Sequence, residues 1–171
     1  IREGVSIHRG TNATGITLIG NNCMFMAYSH VGHDCRIGNG VIMANTAELA
    51  GHVEIGDNAV LSAFTGIHQF ARIGTYAMIG AGAMVSMDIP PFCTAQGDRA
   101  KLVGLNLIGI KRAGMTDETI QSIKKAYKIL FHSRLRLEEA LGRLKSSPLS
   151  PEVQILLDFC MTSTRGIARP R

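Results

Sequence analysis

Stepping by six from Ile19 meets Phe25, Val31, Ile37, Met43, Leu49, Ile55, Leu61, Ile67, Ile73, Ile79 and Val85, each a large apolar side chain. Two positions before each stop the residue is small: Thr17, Cys23, Ser29, Cys35, Val41, Ala47, Val53, Ala59, Thr65, Ala71, Ala77 and Ala83. Ile-Gly returns at 19–20, 37–38, 55–56 and 73–74, one every eighteen residues. Helices repeat about every 3.6 residues and strands every 2, so neither explains the rhythm. A triangular solenoid does. Each hexapeptide supplies a short strand and a corner, three close one coil, and the large aliphatics fill a narrow interior with the small residues beside them. Glycine and asparagine are expected where the corners strain the backbone. Cys23 and Cys35 occupy small inward slots and are expected to be structural.

Residues 1–18 keep part of the rhythm, with Ile1 and Ile7 in phase, but "HRGTNATG" at 8–15 is polar and turn-rich. It reads as a loop leaving the coil, with His8 and Arg9 as substrate-contact candidates. Ile1 falls inside a pattern already running, so the chain is expected to be the later part of a longer protein. After Val85 the rhythm fails at "DIPPFCTAQG", where two prolines should stop the last coil. Helix signals follow. Thr116 caps a predicted helix to about Ser133, a second spans about 137–145, and Ser150-Pro151 opens a third reaching about Phe159. The expected division is a prism over residues 1–92, and a crossing segment with three helices over 93–171. The helices would cover the open end of the solenoid.

The chain is 46% hydrophobic with 19 glycines, which excludes a disordered chain. No apolar run approaches a membrane span and no signal peptide opens the sequence. Four cysteines without CxxC spacing make a reducing cytoplasm the expected compartment. Residues 1–92 hold four Lys/Arg against six Asp/Glu, whereas 93–171 hold fourteen against seven. Lys111, Arg112, Lys124, Lys125 and Lys128 form the expected basic docking surface. Nucleic acid is the weaker partner class, because no aromatics punctuate these cations as a stacking groove requires.

The stretch "AYSHVGHDCRIG" at 27–38 supplies the chemistry. His33, His52 and His68 fall on successive coils at nearly one angular position, an outward column, because an imidazole in so narrow an apolar interior would lose its partners. Three readings stay open at this point. The histidines are satisfied interface groups; or His30, His33 and His52 or Asp34 hold a metal; or a neutral imidazole, with an ordinary pKa of about 6.5, serves as general base with Asp34 orienting it. No phosphate loop and no nucleophile elbow is present.

The hexapeptide pattern resembles the hexapeptide-repeat acyltransferases, which implies a left-handed parallel β-helix with a C-terminal α-helical domain, and commonly a homotrimer. A closer resemblance rests on "IHRGT" at 7–11, "SHVGHDCRIGN" at 29–39, "LAGHVEIGD" at 49–57, "GIHQFARIG" at 66–74, "PPFCTAQG" at 90–97, "GLNLIGIKR" at 104–112 and "STRG" at 163–166. On these residues the chain is similar to the UDP-N-acetylglucosamine O-acyltransferase family of lipid A synthesis. The resemblance implies transfer of a (3R)-3-hydroxyacyl chain from acyl carrier protein to the glucosamine 3-hydroxyl of UDP-N-acetylglucosamine, with no cofactor and no catalytic metal. It makes His33 the general base supported by Asp34, and the Gly51 N–H the oxyanion donor. His8, His30, His52, His68, Gln69, Asn106 and Arg112 become substrate contacts in clefts between subunits. Ala77 and Ala81 become candidates for measuring the acyl chain, and the acidic carrier protein gives the basic tail a partner. Ile108 stands where an acidic substrate contact is expected, which keeps an N-acyltransferase acting on a UDP-3-amino sugar open. A non-catalytic trimeric scaffold for carrier protein and a zinc-dependent hydrolase are the rivals from other classes.

Overall fold

A computed structural model describes residues 1–146 and 148–170. Thirteen two-residue strands, from Ser6–Ile7 to Met84–Val85, wind a left-handed parallel β-helix. One face stacks Ser6–Ile7, His30–Val31, Glu48–Leu49, Gly66–Ile67 and Met84–Val85. The second stacks Leu18–Ile19, Arg36–Ile37, Glu54–Ile55 and Arg72–Ile73, and the third begins with Met24–Phe25. Neighbouring coils pair in register eighteen residues apart, as Asn21 and Asn39 do. Only the first pairing is longer, Ser6 meeting His30 across 24 residues, because 8–15 loops out of the coil as its polar sequence implies.

The interior follows the period of six. Met43, Leu49, Leu61, Ile73, Ile79 and every small partner from Cys35 to Ala83 are buried. The corners depart from expectation. The residue three after each inward aliphatic from Ile19 to Ile79 is left-handed, with φ near 60°, but glycine takes only Gly40 and Gly82, while Tyr28, Asp34, Thr46, His52, Phe64, Phe70 and Tyr76 share the duty with Asn22 and Asn58. Backbone bonds to the preceding coil hold such residues there, as from the His52 N–H to the His33 carbonyl at 2.9 Å, offsetting the roughly 1 kcal/mol or more that L side chains lose in this region. The Ile-Gly glycines answer a different demand. A Cβ on Gly56 would lie 2.5 Å from the Thr75 nitrogen of the next coil.

The prolines do not end the pairing. Cys93–Gln96 still runs parallel to Met78–Ile79 on the third face, and Lys101–Leu105 returns antiparallel beside it. Among the described residues four helices follow: α1 (Leu107–Arg112), α2 (Asp117–Phe131), α3 (Leu137–Lys145) and α4 (Pro151–Met161). Thr116 and Ser150 cap α2 and α4 through their hydroxyls, and Pro151 opens α4. The short α1 lies in the stretch read as a plain crossing segment, and Asn106 starts it by accepting from the Gly109 N–H at 3.0 Å. Helix α4 lies against the second face, where Arg72 covers the Phe159 ring at 4.4 Å and donates to the Thr162 hydroxyl at 3.1 Å. None of the helices among the described residues is long and apolar enough to cross a membrane.

Candidate active site

The corner between the first and second faces gathers His33, Asp34 and His52. Asp34 sits at the left-handed position, φ 60°, with its side chain buried, while the His33 side chain is 42% exposed. The His33 Nδ1 lies 2.7 Å from Asp34 Oδ2. One coil on, the His52 ring meets the His33 ring edge-on at 5.1 Å and stacks on Phe70 at 4.6 Å. The column therefore runs from His33 through His52 to Phe70. His68 leaves it and lies on the first face. Gly51 sits directly beneath the imidazole, where a Cβ would come within 2.5 Å of His33 Cε1.

The loop at 8–15 folds back over Asp34. The Thr11 N–H donates to Oδ1 at 3.0 Å, the Thr11 hydroxyl to Oδ2 at 2.7 Å, and the Thr14 hydroxyl to Oδ1, while the Thr17 hydroxyl accepts from the Asp34 N–H at 2.9 Å. Burial pushes the Asp34 carboxyl up, but the hydrogen bonds from Thr14, Thr11 and His33 outweigh it and hold the group well below the usual carboxylate range. A carboxylate that stays ionised accepts the Nδ1 proton of His33, which leaves the Nε2 lone pair facing solvent as the basic site.

Donor atoms of His33, Asp34 and His52 lie within 4.8 Å of one another, a spacing a cation could use. Both Asp34 oxygens and His33 Nδ1 are already engaged, so a cation would have to displace Thr11, Thr14 or the His33–Asp34 bond. The donor set fits an oriented base better than a metal centre. His30 is not in this cluster. It bonds the Ser6 hydroxyl at 2.8 Å and meets His8 edge-on at 4.6 Å. Burial lowers the His30 pKa, His8 adds to this and Glu48 opposes it. His30, Glu48, Ala50, His68 and Ser86 line a cleft of about 350 Å³ on the first face.

The remaining candidates fall elsewhere. Gln69 and Arg9 are exposed. Asn106 is occupied structurally, capping α1 and donating to the Tyr76 carbonyl at 2.9 Å, which places it at the corner between the second and third faces. Arg112 is exposed at the end of α1. Ala77 is fully buried in an inward slot and offers an acyl chain no surface; its place in the period of six already required this. Ala81 is exposed. Burial raises the Cys35 thiol pKa and its sulfur donates to the Ala50 carbonyl at 3.1 Å, in keeping with a structural cysteine. Sequence reasoning missed Thr11, Thr14, Phe70 and Arg165. "GTNATG" carried the only local signal for the first two.

Fold and corner together define a hexapeptide-repeat transferase. Residues 16–51 and 52–86 match the bacterial transferase hexapeptide model, and 88–168 match the model for UDP-N-acetylglucosamine O-acyltransferase domain 2. Acyl-[acyl-carrier-protein]–UDP-N-acetylglucosamine O-acyltransferases from Herminiimonas arsenicoxydans and Alkalilimnicola ehrlichii are 48% and 45% identical, covering 99% of this chain and 67% and 66% of theirs. The UDP-N-acetylglucosamine acyltransferase structure from Campylobacter jejuni superposes with a TM-score of 0.96 at 41% identity, covering all of this chain and 68% of its own. By contrast, perosamine N-acetyltransferase from Caulobacter crescentus reaches 0.55 at 30% identity, over 59% of this chain and 45% of its own. The chain belongs to the UDP-N-acetylglucosamine O-acyltransferase family. It spans about two thirds of the length of the curated relatives it matches.

Proposed function

We propose that the protein transfers a (3R)-3-hydroxyacyl chain from acyl carrier protein to the glucosamine 3-hydroxyl of UDP-N-acetylglucosamine, with His33 as general base. The observation that carries the base assignment is the His33 Nδ1–Asp34 contact at 2.7 Å on a carboxylate locked by Thr11 and Thr14. His33 Nε2 takes the hydroxyl proton as the sugar oxygen attacks the thioester carbonyl. The tetrahedral centre then collapses, expelling the carrier thiolate, which takes up a proton as the ester forms.

The developing oxyanion needs a donor, and the Gly51 N–H has no hydrogen-bond partner among the described residues. At another edge of the prism the equivalent N–H groups of Asn21 and Asn39 are taken up by Asn39 and Asp57 side chains. A free N–H beside the base is what acyl transfer requires. No covalent enzyme intermediate is involved.

His8, His30, His52, His68 and Gln69 contact substrate around the cleft in this reading. Asn106 lies toward a different prism edge, beside Tyr76, and Arg112 ends the helix that Asn106 caps, so in this reading a substrate touching both groups bridges two copies of the chain. A homotrimer with sites between subunits answers that geometry. Acyl carrier protein docks on the basic helical region, where Lys124, Lys128 and Arg143 rim an apolar groove of about 720 Å³ between the helices. Ala81, exposed late in the prism, remains in the acyl-length role. The prism of residues 1–92 and the region 93–171 act as site and docking platform in a cytoplasmic enzyme.

The test supplies purified (3R)-3-hydroxyacyl carrier protein with either UDP-N-acetylglucosamine or its 3-amino analogue, follows product by mass, and repeats both with chelator. Chelator-insensitive O-acylation is expected. Product with the amine alone would move the assignment to N-acyl transfer, and loss with chelator would restore the metal reading. Donor binding without turnover would leave a scaffold.

A further inference from the structure

His68 has lost its place in the catalytic column but gained a partner from far along the chain. Arg165 lies 97 residues away, in the segment after α4, and its Nη2 sits 2.7 Å from His68 Nδ1. Its Nε donates to the Ser86 carbonyl at 2.7 Å, so the guanidinium bridges two residues of the same cleft wall.

The segment that carries Arg165 is strapped down. Asp88, fully buried, donates its N–H to the Gly166 carbonyl at 2.9 Å, and its own carbonyl accepts from the Ala168 N–H at 2.9 Å. Its carboxylate accepts from the Ser163 hydroxyl at 2.8 Å on one oxygen and from the Arg72 N–H at 2.9 Å on the other. Gly166 turns the chain at φ 88°, and a Cβ there would come 3.0 Å from the Met87 side chain. Arg165 is thus held from both sides.

A guanidinium has only donors, so Nδ1 of His68 must accept, and the proton of the neutral ring resides on Nε2. The Gln69 carbonyl, 3.3 Å from the same Nδ1, asks for the opposite tautomer. The shorter, charge-assisted contact prevails.

We propose that Arg165 is a positioning residue that fixes His68 as the Nε2–H tautomer, so that this wall of the cleft donates one hydrogen bond to an acceptor oxygen of the substrate. The proposal rests on reading the cleft as a substrate site. It gives the C-terminal strap a role in recognition that its sequence does not announce, and it separates two histidines: His33 offers a lone pair, His68 a proton.

Magic-angle-spinning NMR on the full protein, with 15N-labelled histidine and His68 assigned by a His68→Ala variant, reads the tautomer without any assay. The wild type is expected to show His68 with bare Nδ1 and protonated Nε2, and Arg165→Met to shift it toward protonated Nδ1. Arg165→Lys, which keeps a cationic donor, should retain much of the wild-type signature. In kinetics, Arg165→Met should lower kcat/KM about tenfold, the usual consequence of one lost hydrogen bond, and should add nothing in a His68→Ala background. Protonated Nδ1 in the wild type overturns the proposal, as does an Arg165→Met effect that persists in full without His68. If Arg165→Met fails to fold, the wild-type spectrum and Arg165→Lys decide. Should the protein prove to be no acyltransferase, the tautomer stands or falls independently.

Discussion

At the residue scale, the site depends on what holds Asp34. Its carboxyl is ionised in the fold well below the range in which an unfolded aspartate titrates, about 3.9. A depressed folded-state pKa adds stability that is fully present above the unfolded value and is lost as pH falls toward the folded one. Thr14→Val removes one of the bonds responsible. Its melting deficit against wild type should therefore be largest near neutrality and shrink below about pH 4; a deficit that grows in acid would contradict the clamp. Gly51 makes a sharper demand. Its side of the turn has room for the His33 ring or for a Cβ, not both. Gly51→Ala should cut turnover by at least about tenfold through a displaced base, with the melting temperature nearly unchanged. Full activity in that variant would show that the ring does not need its place. Neither threonine contact was legible in the chain, because both come from a loop that departs from the repeat and closes onto a residue 20 or more positions away.

At the scale of elements, the period of six made the prism legible almost strand by strand. The short coils leave little freedom, since a slot is either inside or outside. Identity at the corners was less legible, because the turn selects a backbone conformation that bonding to the previous coil enforces even on Phe64 and Tyr28. Helices α2 and α4 were read from their caps, Thr116 and Ser150, and α3 from its own sequence, while α1 was missed because its cap, Asn106, lies in a stretch whose resemblance pointed to substrate instead. The interior strands two buried hydroxyls among the described residues, those of Ser29 and Thr65, and the second is the simpler to test. Thr65 is buried, and its hydroxyl has no partner among the described residues. Thr65→Val keeps the shape and removes the stranded hydroxyl. It should raise stability by about 1 kcal/mol, roughly 2–4 °C in melting temperature for a chain of this size, as calorimetry would show. A lower melting temperature would mean that the hydroxyl is satisfied in solution, by water for instance.

At the scale of the molecule, the solenoid works as a ruler on which each edge carries different chemistry. The corner between the first and second faces presents His33, Asp34 and Gly51, the first face a cleft whose His68 and Ser86 are bonded by Arg165 of the C-terminal strap, and the helical region a basic groove. Under the proposed reaction, these surfaces of one copy would be brought around a single acyl-sugar substrate by a second copy of the chain. The sequence revealed which residues stack, since stacking follows from the period. It was silent on the His68–Arg165 pairing, which depends on how the last residues return across the end of the prism. The central claim is that His33, oriented by Asp34, removes the acceptor proton. The most direct test is the turnover of His33→Ala beside wild type, on protein whose melting temperature and oligomeric state are measured in parallel. A loss of more than about a hundredfold, with melting and assembly unchanged, is the result the account predicts. Turnover within about threefold of wild type would contradict it, because a positioned base contributes far more than that.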